Sequence, residues 1–202
     1  QSRYSPAQAA QIYRAFILDT LDYAGHLRLV QLHIAFWPGN AEACFTKLIP
    51  NGWELFAQRG DDLGERMHEA GNHCFALGAS RVVIIGTDAP SLPLHHLELA
   101  FELLAAKDIV LGPSTDGGYC LVGLASPAPQ IFKKIDWSTD RVFSQTLQRV
   151  LTSNRSLGLV PPWYDVDSPA ELDLLLAHAQ AFHHTGIEST LRHTQACLSS
   201  LS

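Results

Sequence analysis

Residues Val82-Val83-Ile84-Ile85 are an unbroken run of β-branched apolar side chains, and Gly86-Thr87-Asp88-Ala89-Pro90-Ser91-Leu92 follows at once. A run of this kind predicts a strand buried on both faces, in the middle of an open α/β sheet. The glycine and proline end it, so Asp88 falls at the strand's carboxyl end, where such sheets bind their ligands. A second stretch repeats the pattern, Asp108-Ile109-Val110-Leu111-Gly112-Pro113 and then Ser114-Thr115-Asp116-Gly117-Gly118-Tyr119. Two strand-end carboxylates at one sheet edge suggest a divalent cation holding a phosphate.

The rest of the chain alternates helix and strand signals. Ser5-Pro6 predicts a helix start, with Ala9, Ile12, Tyr13, Phe16, Ile17 and Leu21 at helical spacing. Residues 28–36 read as a strand, Asn40 as the cap of a short helix to Ile49, and residues 53–57 as a brief strand. Asp61 or Asp62 starts a helix stopped by Gly78. Further helices are expected over residues 93–106, 140–151, 169–182 and 188–199, with strands at 109–112, 119–124 and 157–160. Ser168-Pro169-Ala170-Glu171 has the capping-box form. The expected architecture is a three-layer α/β/α Rossmann-like sandwich with a mostly parallel sheet, in a single domain over residues 1–202.

Several function classes lose support. A net charge of −6 with 14 Lys and Arg, clustered nowhere beyond Lys133-Lys134, argues against a nucleic-acid partner. No apolar run approaches the ~18 residues of a membrane span, and the four widely spaced cysteines read as buried free thiols, so a cytoplasmic location is expected. The ten histidines lack ligand spacing and read as surface or core residues. There is no G-x-S-x-G elbow, Walker A loop or complete G-x-G-x-x-G.

Each candidate has a structural alternative. Asp88 could cap the helix near Leu92 or Pro93, and Asp116-Gly117 is also a strong hairpin signal. Gly117 and Gly118 would equally let a ligand approach the backbone. In Tyr164-Asp165-Val166-Asp167-Ser168, an extended backbone turns Asp165 and Asp167 to one side, while Asp167 could instead cap the next helix. Gly60-Asp61-Asp62-Leu63-Gly64-Glu65-Arg66 turns into a helix whose amides and Arg66 could face an anion or base; a surface Arg66 is the alternative. Trp137 and Trp163 could line an acceptor pocket or pack in the core.

Taken together, Gly60–Met67, Gly86–Leu92, Gly112-Pro113 with Asp116–Tyr119, and Asp165–Pro169 resemble, in this order, a family of bacterial GT-A-type transferases. That family lies within the nucleotide-diphospho-sugar transferase superfamily. Phospholactate guanylyltransferase and molybdenum-cofactor guanylyltransferase are its nearest understood relatives. The likeness spans roughly residues 5–182. It implies a nucleotide or nucleotide-sugar donor, a small-molecule acceptor, and Mg²⁺ (or Mn²⁺). Asp88, Asp167 and Asp165 are implied as metal ligands, with Asp88 and Asp116 catalytic. Gly64, Arg66, Thr87, Pro90, Gly117, Gly118 and Tyr119 are implied on the nucleotide and substrate side. Family members open with a strand and a P-x-P-G-x-x-K-T-R-L phosphate loop; this sequence shows neither, so the sheet is expected without its first strand. The expected activity is glycosyl or nucleotidyl transfer by direct displacement. The alternatives are a nucleotide-binding domain that keeps the fold without turnover, and an assembly protein whose aspartates form turns.

Overall fold

The computed structural model describes residues 3–50, 52–186 and 191–201. The Gln1-Ser2 opening and the expected start of the last helix at 188–190 lie outside these. Helix α1 (Pro6–Ala24) begins as the sequence requires: the Ser5 hydroxyl accepts from Gln8 N–H and the Gln8 side chain accepts from Ser5 N–H, a closed capping box. Strand β1 (His33–Phe36) is shorter than expected, because Leu29 takes a left-handed φ of 62° and its side chain stands in solvent. Asn40 lies within a 3₁₀ turn ahead of the four-residue helix α2 (Glu42–Phe45) instead of capping a longer one.

Strand β2 (Glu54–Ala57) leads to α3 (Leu63–Ala76), capped by the Asp62 carboxylate on Glu65 N–H and ended by Gly78 at φ 96°. Then come β3 (Val82–Ile85), α4 (Leu94–Leu103), β4 (Ile109–Pro113), β5 (Tyr119–Leu124), α5 (Val142–Thr152), β6 (Leu157–Leu159), α6 (Pro169–His184) and α7 (Arg192–Leu201).

β1 and β2 pair in parallel as a two-stranded sheet, and the other four strands order as β3-β5-β4-β6. β5 is antiparallel to both β3 and β4, while β4 and β6 are parallel, so β3, β4 and β6 run one way and β5 alone is reversed. β3 is therefore an edge strand of this sheet, not the central strand its apolar run predicts. Helices α3 and α4 both pack against it, which accounts for the run. The centre is β4, whose Ile109, Val110 and Leu111 are fully buried.

Alternation along β4 divides the core. Val110 faces Leu97, Ala100 and Leu104 of the α4 layer, joined by Tyr23 and Ala24 at the end of α1. Ile109 and Leu111 face Phe132 and Val150, with Met67 and Phe75 of α3, in the opposite layer. The three-layer sandwich is thus present. A third cluster joins Ile12 and Phe16 of α1 to Val166 and to Leu172, Leu175 and Ala179 of α6.

α7 is anchored by one buried carboxylate. Asp19 accepts from the backbone N–H groups of His193 and Thr194 at 2.8 and 2.9 Å and from the Thr194 hydroxyl at 2.6 Å. The four cysteines are free, as expected, but Cys44 is exposed and Cys197 half-buried, because α2 buries none of its residues and α7 only Thr194.

His96 is buried beside Trp163, ring centroids 5.4 Å apart, and burial first and His95 second push its imidazole down to about 4. Between about pH 6.5 and 4 the unfolded chain binds a proton that the folded chain refuses, so stability falls as pH falls through that window. His96→Leu is expected to remove that loss, on the order of 2 kcal/mol at pH 4.5. Urea unfolding of both proteins at pH 7.5 and 4.5 checks it; equal pH slopes would contradict it.

Candidate cation and nucleotide site

Beyond β4 the chain reverses through residues 114–118. Ser114 N–H donates to the Gly118 carbonyl at 3.0 Å, and the Asp116 carboxylate accepts Gly118 N–H at 2.8 Å. Asp116-Gly117 is thus the hairpin turn between β4 and β5, with its carboxylate held in place by that turn. Gly117 has φ 92°, a Cβ there would overlap the backbone of Asp140, and its carbonyl accepts Phe143 N–H at 2.8 Å. This glycine serves the turn and the start of α5, with the backbone of Asp140 on the side where a Cβ would project.

Pro161-Pro162 ends the β6 ladder, but the chain stays beside β4. Trp163 N–H donates to the Pro113 carbonyl at 3.0 Å, and Thr115 N–H donates to that of Trp163 at 3.1 Å. Val166 N–H then donates to the Asp88 carbonyl at 2.9 Å, while its side chain is buried against α1 and α6. Alternation turns Asp165 and Asp167 to the other side, as the spacing requires. Ser114 Oγ donates to Asp165 Oδ2 at 2.7 Å.

Two capping alternatives are not realised. Ser168 caps α6, and Glu171 accepts the N–H groups of Asp167 and Ser168 at 2.8 and 2.7 Å, so the Asp167 carboxylate is not the cap. α4 starts after Pro93 without a side-chain cap, so Asp88 is not one either. Gly86 leaves the space that the Asp88 carboxylate occupies.

Carboxylate oxygens of Asp116, Asp165 and Asp167 come within 4.8 Å of one another. Burial first, and then the charges of Asp88, Asp116 and Asp167, push Asp165 up to about 6 against the Ser114 hydrogen bond. Asp88 is raised by burial and by Asp167 and Asp116, and Asp167 by burial, Glu171 and Asp116. Among the described residues no lysine or arginine pairs with any of these four, and Asp165 Oδ1 is buried without a hydrogen-bond partner. An all-oxygen donor set carrying this much unneutralised charge fits a hard divalent cation such as Mg²⁺ or Mn²⁺.

The other expected residues divide into two groups. The Thr87 hydroxyl, one residue before Asp88, hydrogen-bonds to that of Tyr13 at 2.9 Å. The Arg66 guanidinium lies 4.0 Å over the Trp37 ring, and its Nε donates to the Gly60 carbonyl at 3.2 Å. By contrast, Gly64 packs where a Cβ would overlap the Trp137 ring, Pro90 and Gly118 are buried, and the Tyr119 hydroxyl is buried in the core. Trp137 stands edge-on to Tyr119 at 6.4 Å, and Trp163 stacks on Tyr164 at 5.4 Å, so both indoles pack inside the fold.

Tyr13 and Ser114 are the residues that sequence reasoning missed. Tyr13 carries the same helical spacing as the core residues around it, and Ser114 looks like any turn serine. A second acidic group, Asp19, Asp22 and His193, is satisfied by protein: Asp22 accepts from Arg192 Nε and pairs with His193, and Asp19 holds the start of α7. Two grooves of about 310 and 300 Å³ lie along α1 and the C-terminal helices and touch none of the four aspartates.

The architecture is that of the nucleotide-diphospho-sugar transferases. A candidate nucleotide-diphospho-sugar transferase from Desulfovibrio desulfuricans G20 superposes with a TM-score of 0.83 and 32% identity over 96% of this chain and 86% of that one. Residues 20–139 match the family described as "uncharacterized protein conserved in bacteria (DUF2064)", and the chain belongs to that family. More distant structures share the fold. CMP:2-keto-3-deoxy-manno-octonic acid synthetase, complexed with CTP, has a TM-score of 0.59 and 11% identity over 82% of this chain and 88% of its own. Bifunctional IspDF from Campylobacter jejuni has a TM-score of 0.51 and 8% identity over 77% of this chain and 43% of its own. No protein of curated function matches the sequence.

Proposed function

We propose that this chain is a Mg²⁺- or Mn²⁺-dependent transferase that takes a glycosyl or nucleotidyl group from a nucleotide donor and passes it to a small acceptor. The observation that carries this reading is the convergence of Asp116, Asp165 and Asp167, with Asp88 coupled to them, beyond the β3 and β4 ends of a nucleotide-diphospho-sugar transferase fold. Asp116, Asp165 and Asp167 would hold the cation, with Asp88 adding negative charge beside them, and the cation when bound supplies positive charge to the donor's phosphates. Ser114 and Gly118 N–H fix two of the four in advance, so little ordering remains when a donor enters.

Arg66, stacked on Trp37, is the residue that in this reading meets the donor's base or an anion. Burial pushes the Cys120 thiol up to about 12, which leaves no thiolate for a covalent intermediate there. In this reading the acceptor displaces directly, attacking the α-phosphorus to release diphosphate in nucleotidyl transfer or the anomeric carbon to release the nucleoside diphosphate in glycosyl transfer.

Nucleoside triphosphates and nucleotide sugars, each with and without Mg²⁺, test the reading by thermal shift. A donor at a hundred times its dissociation constant stabilises by ~2.7 kcal/mol, a rise of roughly 5–10 °C that depends on the cation. Released diphosphate would identify nucleotidyl transfer, and a released nucleoside diphosphate glycosyl transfer. If no nucleotide shifts the protein in the presence of Mg²⁺, the reading is wrong. The lack, among the described residues, of a basic partner beside the four carboxylates favours one alternative, a domain that binds nucleotide without turnover; it predicts the shift with neither product.

A further inference from the structure

We propose that Tyr13 is a substrate-contact residue of this site, whose hydroxyl, paired with that of Thr87, donates a hydrogen bond to a phosphate oxygen of the donor. The inference rests on reading the aspartate cluster as a cation–nucleotide site and adds to it a residue from a different part of the chain. Helix α1 is seated on the site's own backbone. Ile12 and Phe16 are buried in one cluster with Val166, the residue between Asp165 and Asp167. Tyr13, one position on from Ile12, turns the other way and keeps 47% of its surface exposed. Its ring rests edge-on against Phe16, centroids 6.4 Å apart, and its hydroxyl reaches Thr87 Oγ1 at 2.9 Å.

The hydroxyl pair therefore sits where two segments meet, residues 87–88 on one side and 165–167 on the other. Those segments are joined by the hydrogen bond from Val166 to Asp88.

Donor accounting sets the role. The four carboxylates are acceptors, and so is every oxygen of a phosphate chain. Two donors already nearby are committed: the Ser114 hydroxyl serves Asp165, and Gly118 N–H serves Asp116. Tyr13 and Thr87 carry two hydroxyl protons and spend one on each other; with Thr87 as the donor within the pair, the Tyr13 proton is left for the phosphate. A neutral donor also suits an entrance lined with negative charge, because it binds an anion without neutralising the carboxylates that must hold the cation.

The test uses the full chain, Mn²⁺ followed by electron paramagnetic resonance, and inorganic diphosphate as a phosphate probe independent of the base. Tyr13→Phe keeps the ring and its contact with Phe16. It is expected to leave the melting temperature and Mn²⁺ affinity unchanged while weakening diphosphate binding to the Mn²⁺-loaded protein about tenfold or more. Thr87→Val is expected to weaken diphosphate binding in the same direction, and Thr87→Ser to restore it. Unchanged diphosphate binding by Tyr13→Phe would overturn the inference alone. So would an equal loss of Mn²⁺ affinity, which would make Tyr13 a support for the carboxylates. A wild-type protein that takes up no Mn²⁺, or takes it up without binding diphosphate, would overturn the inference together with the reading of the site.

Discussion

Asp165→Asn is expected to abolish tight Mn²⁺ binding and, in the absence of any cation, to make the protein more stable at pH 7.5. The two effects share one cause. Asp165 lies between Asp116, Asp167 and Asp88, is partly withdrawn from water, and has its carboxyl raised to about 6. Between about pH 4 and 6 the folded chain keeps a proton that the unfolded chain has already lost. Stability therefore falls as pH rises through that window and levels off above it.

The cost at pH 7.5 is on the order of 1–2 kcal/mol, since the group remains partly solvated. Asparagine removes it and can still accept the Ser114 hydroxyl. Loss of the charge from the centre of the cluster should weaken Mn²⁺ well beyond the ~10–100-fold that an outer-shell partner costs. Thermal unfolding from pH 4 to 8 and a Mn²⁺ titration measure both. A variant that melts lower at pH 7.5, or still binds Mn²⁺ tightly, would contradict the assignment.

Asp19→Ala is expected to lower stability by about 3 kcal/mol, a fall in melting temperature of roughly 6–12 °C. The substitution strips three hydrogen bonds at once and leaves two backbone N–H groups at the start of α7 without their acceptor. Asp19→Asn, which keeps one carbonyl oxygen, should recover part of the loss. Because the α1–α7 contact lies apart from the four aspartates, Mn²⁺ affinity of the folded variant should not change. A loss below 1 kcal/mol, measured by urea unfolding, would show that α7 is held chiefly by its apolar contacts.

Much of the site was legible because local chemistry wrote it. The run at 82–85 followed by Asp88 gave a strand and its carboxylate. The Asp165-Val166-Asp167 alternation gave a shared face, and Ser168 with Glu171 gave a capping box, though only the structure decided that Asp167 is not itself the cap. What could not be read depends on partners distant in sequence. A short apolar strand looks the same whichever way it runs, so the reversal of β5 and the edge position of β3 left no trace in composition. That Gly117 packs against Asp140 was not legible either, because nothing nearby in sequence announces Asp140 as its neighbour. Asp116 joined Asp165 and Asp167 as a close group only through the alignment of the 163–167 segment with the end of β4.

The alignment of Trp163 with Ser114 also bears on when this site comes into being. Its carboxylates come from three stretches of chain, and the last continues from β6, beside β4, through the pairing of Trp163 with Ser114. A chain interrupted before Trp163 would hold Asp88 and Asp116 but not the pair that completes the cluster. Cation uptake should thus require the 163–167 segment to be seated beside β4, and Mn²⁺ bound to the chain would report that seating.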